Sequence, residues 1–535
     1  MLYTWFAIVP PVIVLGAVLI THRLIPALIV GLICAAALAS DFNIFDTSHL
    51  LLQRLLLQAT DLDTIYNFSF LLCIGVIISL LNATGGAAAF SRTFTKHLKT
   101  SRMVESSSLL FSLTLFIDDY LSNLTMGHVM RPLTDRFNIP RAKLAYLVHS
   151  MTGPLVILAP ISSWAAMITG QLEQAGISTT QNIQIKIFTD PFFVYLKSIP
   201  FIFYSLILIS SIWFIVRSRI SFGPMHRHEI IAQTQKNLFG GKEPLSNPLH
   251  QGVDQLGTLS SLLVPLITLV GSVLVGIPYA GGYWLFGGTR SLLDSFKNNN
   301  QTFFVLFMAG VITLIVGFGY ALWRNHIRLK QVPTIIQRGL LLMYSPIVMV
   351  FLASSLGTIL RVDLQTGPYL ASLLLGTISM YLLPFMFFIV SLITAITTGS
   401  AWGTIALMLP IAIPMLMTFA HVQAPATLFQ LPLLLPTLGA IFSGAVCGDH
   451  ISPVSETTIM AASSSGAYPV DHAITQFPYA VPAIVGASCA FIVSGYYNEL
   501  TPWINALFSF GLGLSVCLLI LYLLNTRNRR MLHEK

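Results

Sequence analysis

Runs of about twenty apolar residues recur along this chain, and few folds can absorb them. They lie near 5–21, 24–39, 64–82, 191–216, 258–277, 302–323, 341–360, 476–494 and 501–524. A bilayer core takes about 20 such residues per helix. Only 9% of the 535 residues are charged, against about 25% in an average soluble protein. The mean hydropathy of +0.78 agrees. Soluble, disordered, collagen-like and small secreted scaffolds are thereby excluded, and an all-α polytopic membrane protein is expected. The N-terminus carries no basic stretch before its apolar run, so 5–21 reads as a spanning helix and not a signal peptide. The five cysteines lie in apolar stretches without metal-ligand spacing, so neither a disulfide framework nor a metal centre is expected.

The surplus of basic residues, +8 overall, reads as topology before it reads as nucleic-acid binding. Most Lys and Arg fall in five short stretches: 91–105, 131–143, 217–255, 324–338 and the tail from Arg527. These five are expected on the cytoplasmic side, the C-terminus included. The loop 40–62 on the opposite side is acidic but for Arg54. Two basic stretches flank the apolar run 106–130, which is too short for two crossings. A re-entrant hairpin reconciles the two; a single span is the alternative. Three other apolar regions, 143–170, 369–420 and 431–462, are also interrupted by Gly, Pro, Ser, Thr or acids. Irregular backbone at membrane depth is tolerated only against protein or a wet cavity.

An internal repeat is present. SNLTMGHVMRPL from Ser122 and SAWGTIALMLPI from Ser400 both place Met eight and Pro ten residues after the Ser, an offset of 278. The same offset carries 64–82 onto 342–360, and Pro160-Ile161-Ser162-Ser163 resembles Pro453-Val454-Ser455-Glu456. The first apolar helix of the pair ends on the basic side, whereas its counterpart begins there. The expected fold is therefore two inverted-topology repeats with re-entrant hairpins and broken helices, the arrangement of secondary transporters. The division is 1–216 and 258–524 for the two membrane units, 217–257 for a basic linker and 525–535 for a basic tail.

Four acids sit inside apolar regions: Asp118, Asp119, Asp449 and Glu456. Each costs about 2.5–3.5 kcal/mol at the centre of a spanning helix, so they are expected to bind something, pair or carry a proton. In FIDDYLSNLTMG (116–127) they stand beside Ser122, Asn123 and Thr125. In GDHISPVSETT (448–458) they stand beside Ser452, Ser455 and Thr457, and the hairpin of the second half supplies Ser400 and Thr404. These are hard oxygen ligands, suited to Na+ or a proton. Asp119, Asn123, Asp449 and Glu456 are the candidate Na+ ligands, and of Asp118 and Asp119 one could coordinate while the other holds the hairpin. An acid that merely caps a broken helix is the alternative for any one of them. Adjacent carboxylates cannot both hold charge in low dielectric, so such a site takes a proton when empty and a cation otherwise.

The blocks FIDDYLSNLTMGHVMRP, RAKLAYLVHSMTGPLVILAPISSWAA (141–166), TTGSAWGTIALMLPI (397–411), GDHISPVSETTI (448–459) and ITQFPYA (474–480) resemble the NhaC-type sodium/proton antiporters. The resemblance implies an elevator-like carrier of the ion-transporter superfamily, often dimeric, in a prokaryotic inner membrane, with a role in pH homeostasis. It implies no cofactor beyond the transported Na+ and H+, and no partner beyond membrane lipid, the small cation and a second copy. His149 stands where the family usually has Asp, and Glu456 where it has Asp. A histidine at that place could sense protons, since a free imidazole titrates near neutrality; the alternative is a neutral histidine bonded to a helix carbonyl. The family also includes exchangers of organic acids, so a cation-coupled organic acid or amino acid exchanger is the second reading and an ion channel the third. No GxxxxGK[ST] loop points to an ATP-driven pump. The Gly-x-Gly-Asp motif of intramembrane proteases lacks its first Gly before Asp449, and no enzyme is expected.

Overall fold

A computed structural model describes residues 5–21, 23–86, 89, 98–179, 186–244, 257–297, 301–374, 378–453 and 455–533. Arg92 and Lys96 of the first basic stretch, residues 245–256 of the linker, Val454 and Lys535 lie outside the described residues, as do the side chains of Arg527, Arg529 and Arg530.

The chain is almost wholly helical. The first four helices are α1 (Val9–Thr21), α2 (Leu24–Ala39), α3 (Ile44–Thr60) and α4 (Leu62–Ala83). Next come α5 (Ser101–Ser112), α6 (Asp119–Arg136), α7 (Arg141–Val156) and α8 (Ser163–Gln174). A two-stranded parallel pair, β1 (Ile177–Ser178) and β2 (Ile187–Phe188), leads into α9 (Pro191–Ser198), α10 (Phe203–Ser218) and α11 (Gly223–Gln235). The second half holds α12 (Leu259–Ala280), α13 (Leu292–Lys297), α14 (Thr302–Trp323), α15 (Val332–Thr358) and α16 (Thr366–Leu374). It ends with α17 (Leu383–Thr398), α18 (Ala401–Phe419), α19 (Leu434–Ile451), α20 (Glu456–Ser465), α21 (Pro469–Tyr496) and α22 (Pro502–His533). Ten helical segments among the described residues are long and apolar enough to cross a membrane. The windows in α18 and α19 are 94% buried and that in α22 only 22%, so α18 and α19, from interrupted regions, lie in the interior and α22 faces outward.

Each half contains a hairpin followed by a broken helix: α5–α6 then α7/α8, and α17–α18 then α19/α20. The first hairpin opens and closes at one end of the molecule. Near its start, Glu105 pairs with Lys143 at 2.9 Å, close to the turn that links α6 to α7. The broken helices run antiparallel. Arg141 at the start of α7 donates to the Ser465 carbonyl at the end of α20 (2.9 Å), and Ser150 meets His450 midway (2.9 Å). Beyond the end of α8, Phe188 N–H donates to the Ala426 carbonyl (3.0 Å), just before α19 begins. That contact also places the open end of the second hairpin opposite that of the first. The repeats are inverted, as the charge pattern and the 278-residue offset implied.

The breaks are built to satisfy their backbone. Ser162 Oγ accepts from Ala165 N–H (3.1 Å) and donates to the Val156 and Ala159 carbonyls (3.0 Å each). Tyr195 donates to the Ile157 and Ala159 carbonyls at 2.9 and 3.1 Å. In the second half, Ser452 Oγ donates to the Ile396 carbonyl (2.8 Å), fastening the break to α17. Gly448 lets α17 and α19 touch, for a Cβ there would lie 2.5 Å from the Leu392 carbonyl oxygen, the small-residue seam of membrane helix pairs.

Three sequence expectations need correction. The segment 40–62 is not a loop: α3 occupies most of it, with Asn43 accepting from Phe45 N–H (3.0 Å) and Arg54 paired to Asp363. Its leucines recur at helical spacing, but Gln53 and Arg54 interrupt the apolar run that was sought. The run 191–216 is two helices, because Pro200 turns the chain between α9 and α10. The interrupted region 369–420 holds the end of the short helix α16 and then the hairpin α17–α18, so its first residues belong to neither arm of the hairpin.

Tyr195→Phe tests the first break. It leaves buried carbonyls short of a donor, at a cost of about 1–3 kcal/mol, and the melting temperature in detergent should fall by several degrees, whereas the exposed Tyr497→Phe should change nothing.

Candidate functional site

The two hairpin tips and the two breaks converge. A cavity of about 50 Å³ opens where they meet, and Asp119, Ser400, Asp449, Glu456 and Thr457 line it. Tyr120, Trp164, Met349 and Trp402 complete its wall. Four helices, α6, α8, α18 and α20, therefore begin at this cavity, two from each half. Their first-turn N–H groups have no intrahelical partners, and serines answer for three of them. Ser162, Ser400 and Ser455 accept from Ala165, Gly403 and Thr457 N–H at 3.1, 3.1 and 3.2 Å. Gly399, at φ +63°, supplies the left-handed turn that lets the second hairpin reverse.

The adjacent acids of the first hairpin part company. Asp119 faces the cavity and is 2% exposed. Asp118 points the other way and accepts from Ser163 Oγ at 2.7 Å, while Ser163 N–H donates to the Ile117 carbonyl at 2.9 Å. Two bonds thus pin the hairpin tip to the first turn of α8.

Asp449, three residues from the end of α19, accepts from Ser455 Oγ at 2.7 Å and from Thr457 Oγ1 at 2.6 Å. Two of a carboxylate's roughly four lone-pair directions are so occupied, and the others are open to a cation. Glu456 begins α20 and is exposed at the cavity's outer side, where Tyr120 O–H donates to it at 2.9 Å. This bond joins the two halves across the mouth.

The remaining sequence candidates sit one layer back. Asn123 Oδ1 accepts from Thr152 at 3.1 Å between α6 and α7. Buried Ser122 and Thr125 follow the same helix, the latter 3.5 Å from Asn82 of α4. Thr404 returns its hydroxyl to the Ser400 carbonyl (2.8 Å), and Ser452 holds α17. His149 is buried with its Nε2 3.1 Å from Thr457 Oγ1. His450 braces α19 against α7 and α10 through Ser150 (2.9 Å) and Tyr204 (2.8 Å). Sequence reasoning missed Tyr120, Trp164, Trp402 and the Gln476 amide. Tyr120 follows a hairpin acid directly, and Trp164 and Trp402 each stand two residues after an N-cap serine, a spacing that places all three in the first turn of an inner helix.

Ser163→Ala should cost about 1.5–3 kcal/mol, the range for hydrogen bonds to charged groups, and Asp119→Asn nothing of that kind. Paired melting curves separate a strut from a ligand.

Comparison with known proteins follows the same lines. The chain is 31% identical over 499 residues to an uncharacterised protein of Haemophilus influenzae, covering 92% of this chain and 91% of that one. Over 108 residues, 20% of this chain and 21% of the relative, it is 32% identical to the malate-2H(+)/Na(+)-lactate antiporter of Bacillus subtilis. The structure of the Alcanivorax borkumensis YdaH transporter aligns with a TM-score of 0.46 at 14% identity, over 82% of this chain and 90% of that one. The Na+/H+ antiporter family model matches residues 156–496, which hold the second hairpin, both helix breaks and Asp449. The chain is a member of the Na+/H+ antiporter family.

Proposed function

We propose that this protein exchanges Na+ for H+ by elevator-like alternating access. The observation that carries the reading is the placing of Asp119 and Asp449, one from each inverted half, on a single cavity with no Lys or Arg among its lining residues. Two carboxylates in a low-dielectric site repel one another unless a cation or a proton stands between them. Na+ and H+ then compete for the same oxygens, and alternating exposure couples their gradients. A cavity of about 50 Å³ has room for about four waters, which suits a partly dehydrated cation.

The packing supports an elevator. The helices α4, α12, α14 and α15 pack on one another, while the hairpins and broken helices form a second group. Among the described residues the side-chain ties between the groups include Gln171 to Ser354 at 2.6 Å, Ser400 Oγ to Met349 Sδ at 3.1 Å, Gln174 to Thr64 at 3.4 Å and Thr125 to Asn82 at 3.5 Å. The end of the molecule bearing Lys143 faces the cytoplasm in this reading, with the C-terminus on the same side, in the inner membrane and as a homodimer.

A second reading, exchange of an organic acid with Na+ or H+, draws on the match to the Bacillus subtilis antiporter. Such a cargo needs the cavity wider than it is here. Proteoliposomes loaded with a pH dye decide between them. Na+ or Li+ should dissipate a pH gradient, and malate or lactate should add nothing. Asp119→Asn and Asp449→Asn should each abolish the coupled flux while leaving the protein folded; full flux in either variant removes that residue from the mechanism.

A further inference from the structure

Behind Asp449, on the side away from the cavity, α7, α10, α19 and α21 enclose a cluster of buried polar side chains: His149, His450, His472, Gln476 and Tyr204. Their hydrogen bonds have a direction that the heavy atoms alone determine. Gln476 Nε2 lies against the main-chain carbonyl of His450. A carbonyl accepts only, so the amide must present its NH2 there, and the flipped amide would set oxygen against oxygen. The same nitrogen is 3.2 Å from His149 Nδ1. Its second hydrogen goes to that atom, which therefore carries a lone pair. His472 Nε2, also 3.2 Å from His149 Nδ1, must then carry a hydrogen of its own and share that lone pair with the amide. Its own Nδ1 has no partner among the described residues, as expected of a ring protonated at Nε2.

The proton of His149 is then on Nε2, 3.1 Å from Thr457 Oγ1, and donates to it. Thr457 has one hydrogen and two neighbours for it, Ser455 Oγ at 2.8 Å and Asp449 Oδ2 at 2.6 Å; Ser455 Oγ already accepts from Thr457 N–H, and the charged carboxylate is the stronger acceptor, so the hydrogen goes to Asp449. Every bond in the series points toward the carboxylate. Were His149 protonated on Nδ1 instead, its bare Nε2 would compete with Asp449 for the threonine proton.

We propose that Gln476 is a positioning residue for ion binding: by reading the His450 carbonyl it fixes the tautomer of His149, and through Thr457 it holds Asp449 as a pure acceptor with its remaining lone pairs turned to the cavity. The inference rests on the exchange reading for its consequence, but not for its geometry. It also accounts for a glutamine in ITQFPYA, a block whose chemistry is otherwise plain, and for the cost of leaving Gln476 Oε1 buried without a partner among the described residues.

Nitrogen NMR of the full-length protein, labelled with 15N-histidine in lipid nanodiscs, tests the geometry directly, the His149 signals being identified by their loss in His149→Gln. The expected result is His149 protonated on Nε2 and bare on Nδ1, with Gln476→Leu shifting the population toward the other tautomer. A wild-type ring protonated on Nδ1, or a tautomer unmoved in Gln476→Leu, overturns the proposal. In proteoliposomes, Gln476→Leu should weaken apparent Na+ affinity about tenfold, the scale of one hydrogen bond to a charged group, with maximal rate much less affected. His149→Gln, whose amide nitrogen can reach where Nε2 stood, should recover affinity relative to His149→Leu; equal losses in the two count against the relay. If the wild type shows no Na+/H+ exchange at all, the functional reading fails while the tautomer still decides this one.

Discussion

Interrupting a helix within a membrane exposes backbone groups where no water can answer them, and the arrangement of this protein follows from how that is met. Four helices begin near one point. Their amides are met by Ser162, Ser400 and Ser455 and, at the start of α6, by Asp119, and the carbonyls left on the other side of the first break are met by Ser162 and Tyr195. Each of these donors and acceptors comes from an element that must itself be held in place. The hairpins are thus obliged to pack against the breaks, and the two inverted halves against each other.

The same convergence makes the chemistry. A helix start carries about half a positive charge, so four of them around a cavity tolerate carboxylates that a bilayer would otherwise reject. Asp119 and Asp449 occupy that field with no Lys or Arg among the residues lining the cavity, and in the exchange reading a cation or a proton supplies the counterpart. Asp118, next in sequence to Asp119, is spent on Ser163. One of two neighbouring carboxylates is tied into the hairpin tip and the other faces the cavity because successive residues at a helix start point about 100° apart.

Much of this was legible in the sequence. Apolar runs of bilayer length located the outer helices, and Gly, Ser, Pro and acidic residues marked the inner ones, since such residues are tolerated there only for a purpose. The inversion followed from basic stretches combined with a repeat offset. What escaped has physical causes. The helix Ile44–Thr60 is amphipathic and so fails any test for continuous apolarity. Trp164 and Trp402 look like ordinary lipid-facing residues until their helices are known to start beside them. Gln476 and His472 meet His149 from more than 300 residues away in the chain (His149 to His472 spans 323 positions), and no local pattern encodes such a meeting. His149 drew notice only through the family resemblance. The structure sets it among hydrogen-bonding side chains and not on a helix carbonyl.

The antiparallel course of the two broken helices has a thermodynamic meaning. The cavity at their junction is bordered by helix starts from both halves and by a carboxylate from each. In the exchange reading, a site built so evenly from inverted halves would present similar groups to either face of the membrane. The two gradients alone set the direction of net exchange whatever the site is like; what the near-symmetry would add is a similar apparent affinity on the two sides, so that forward and reverse exchange would respond to similar ion concentrations.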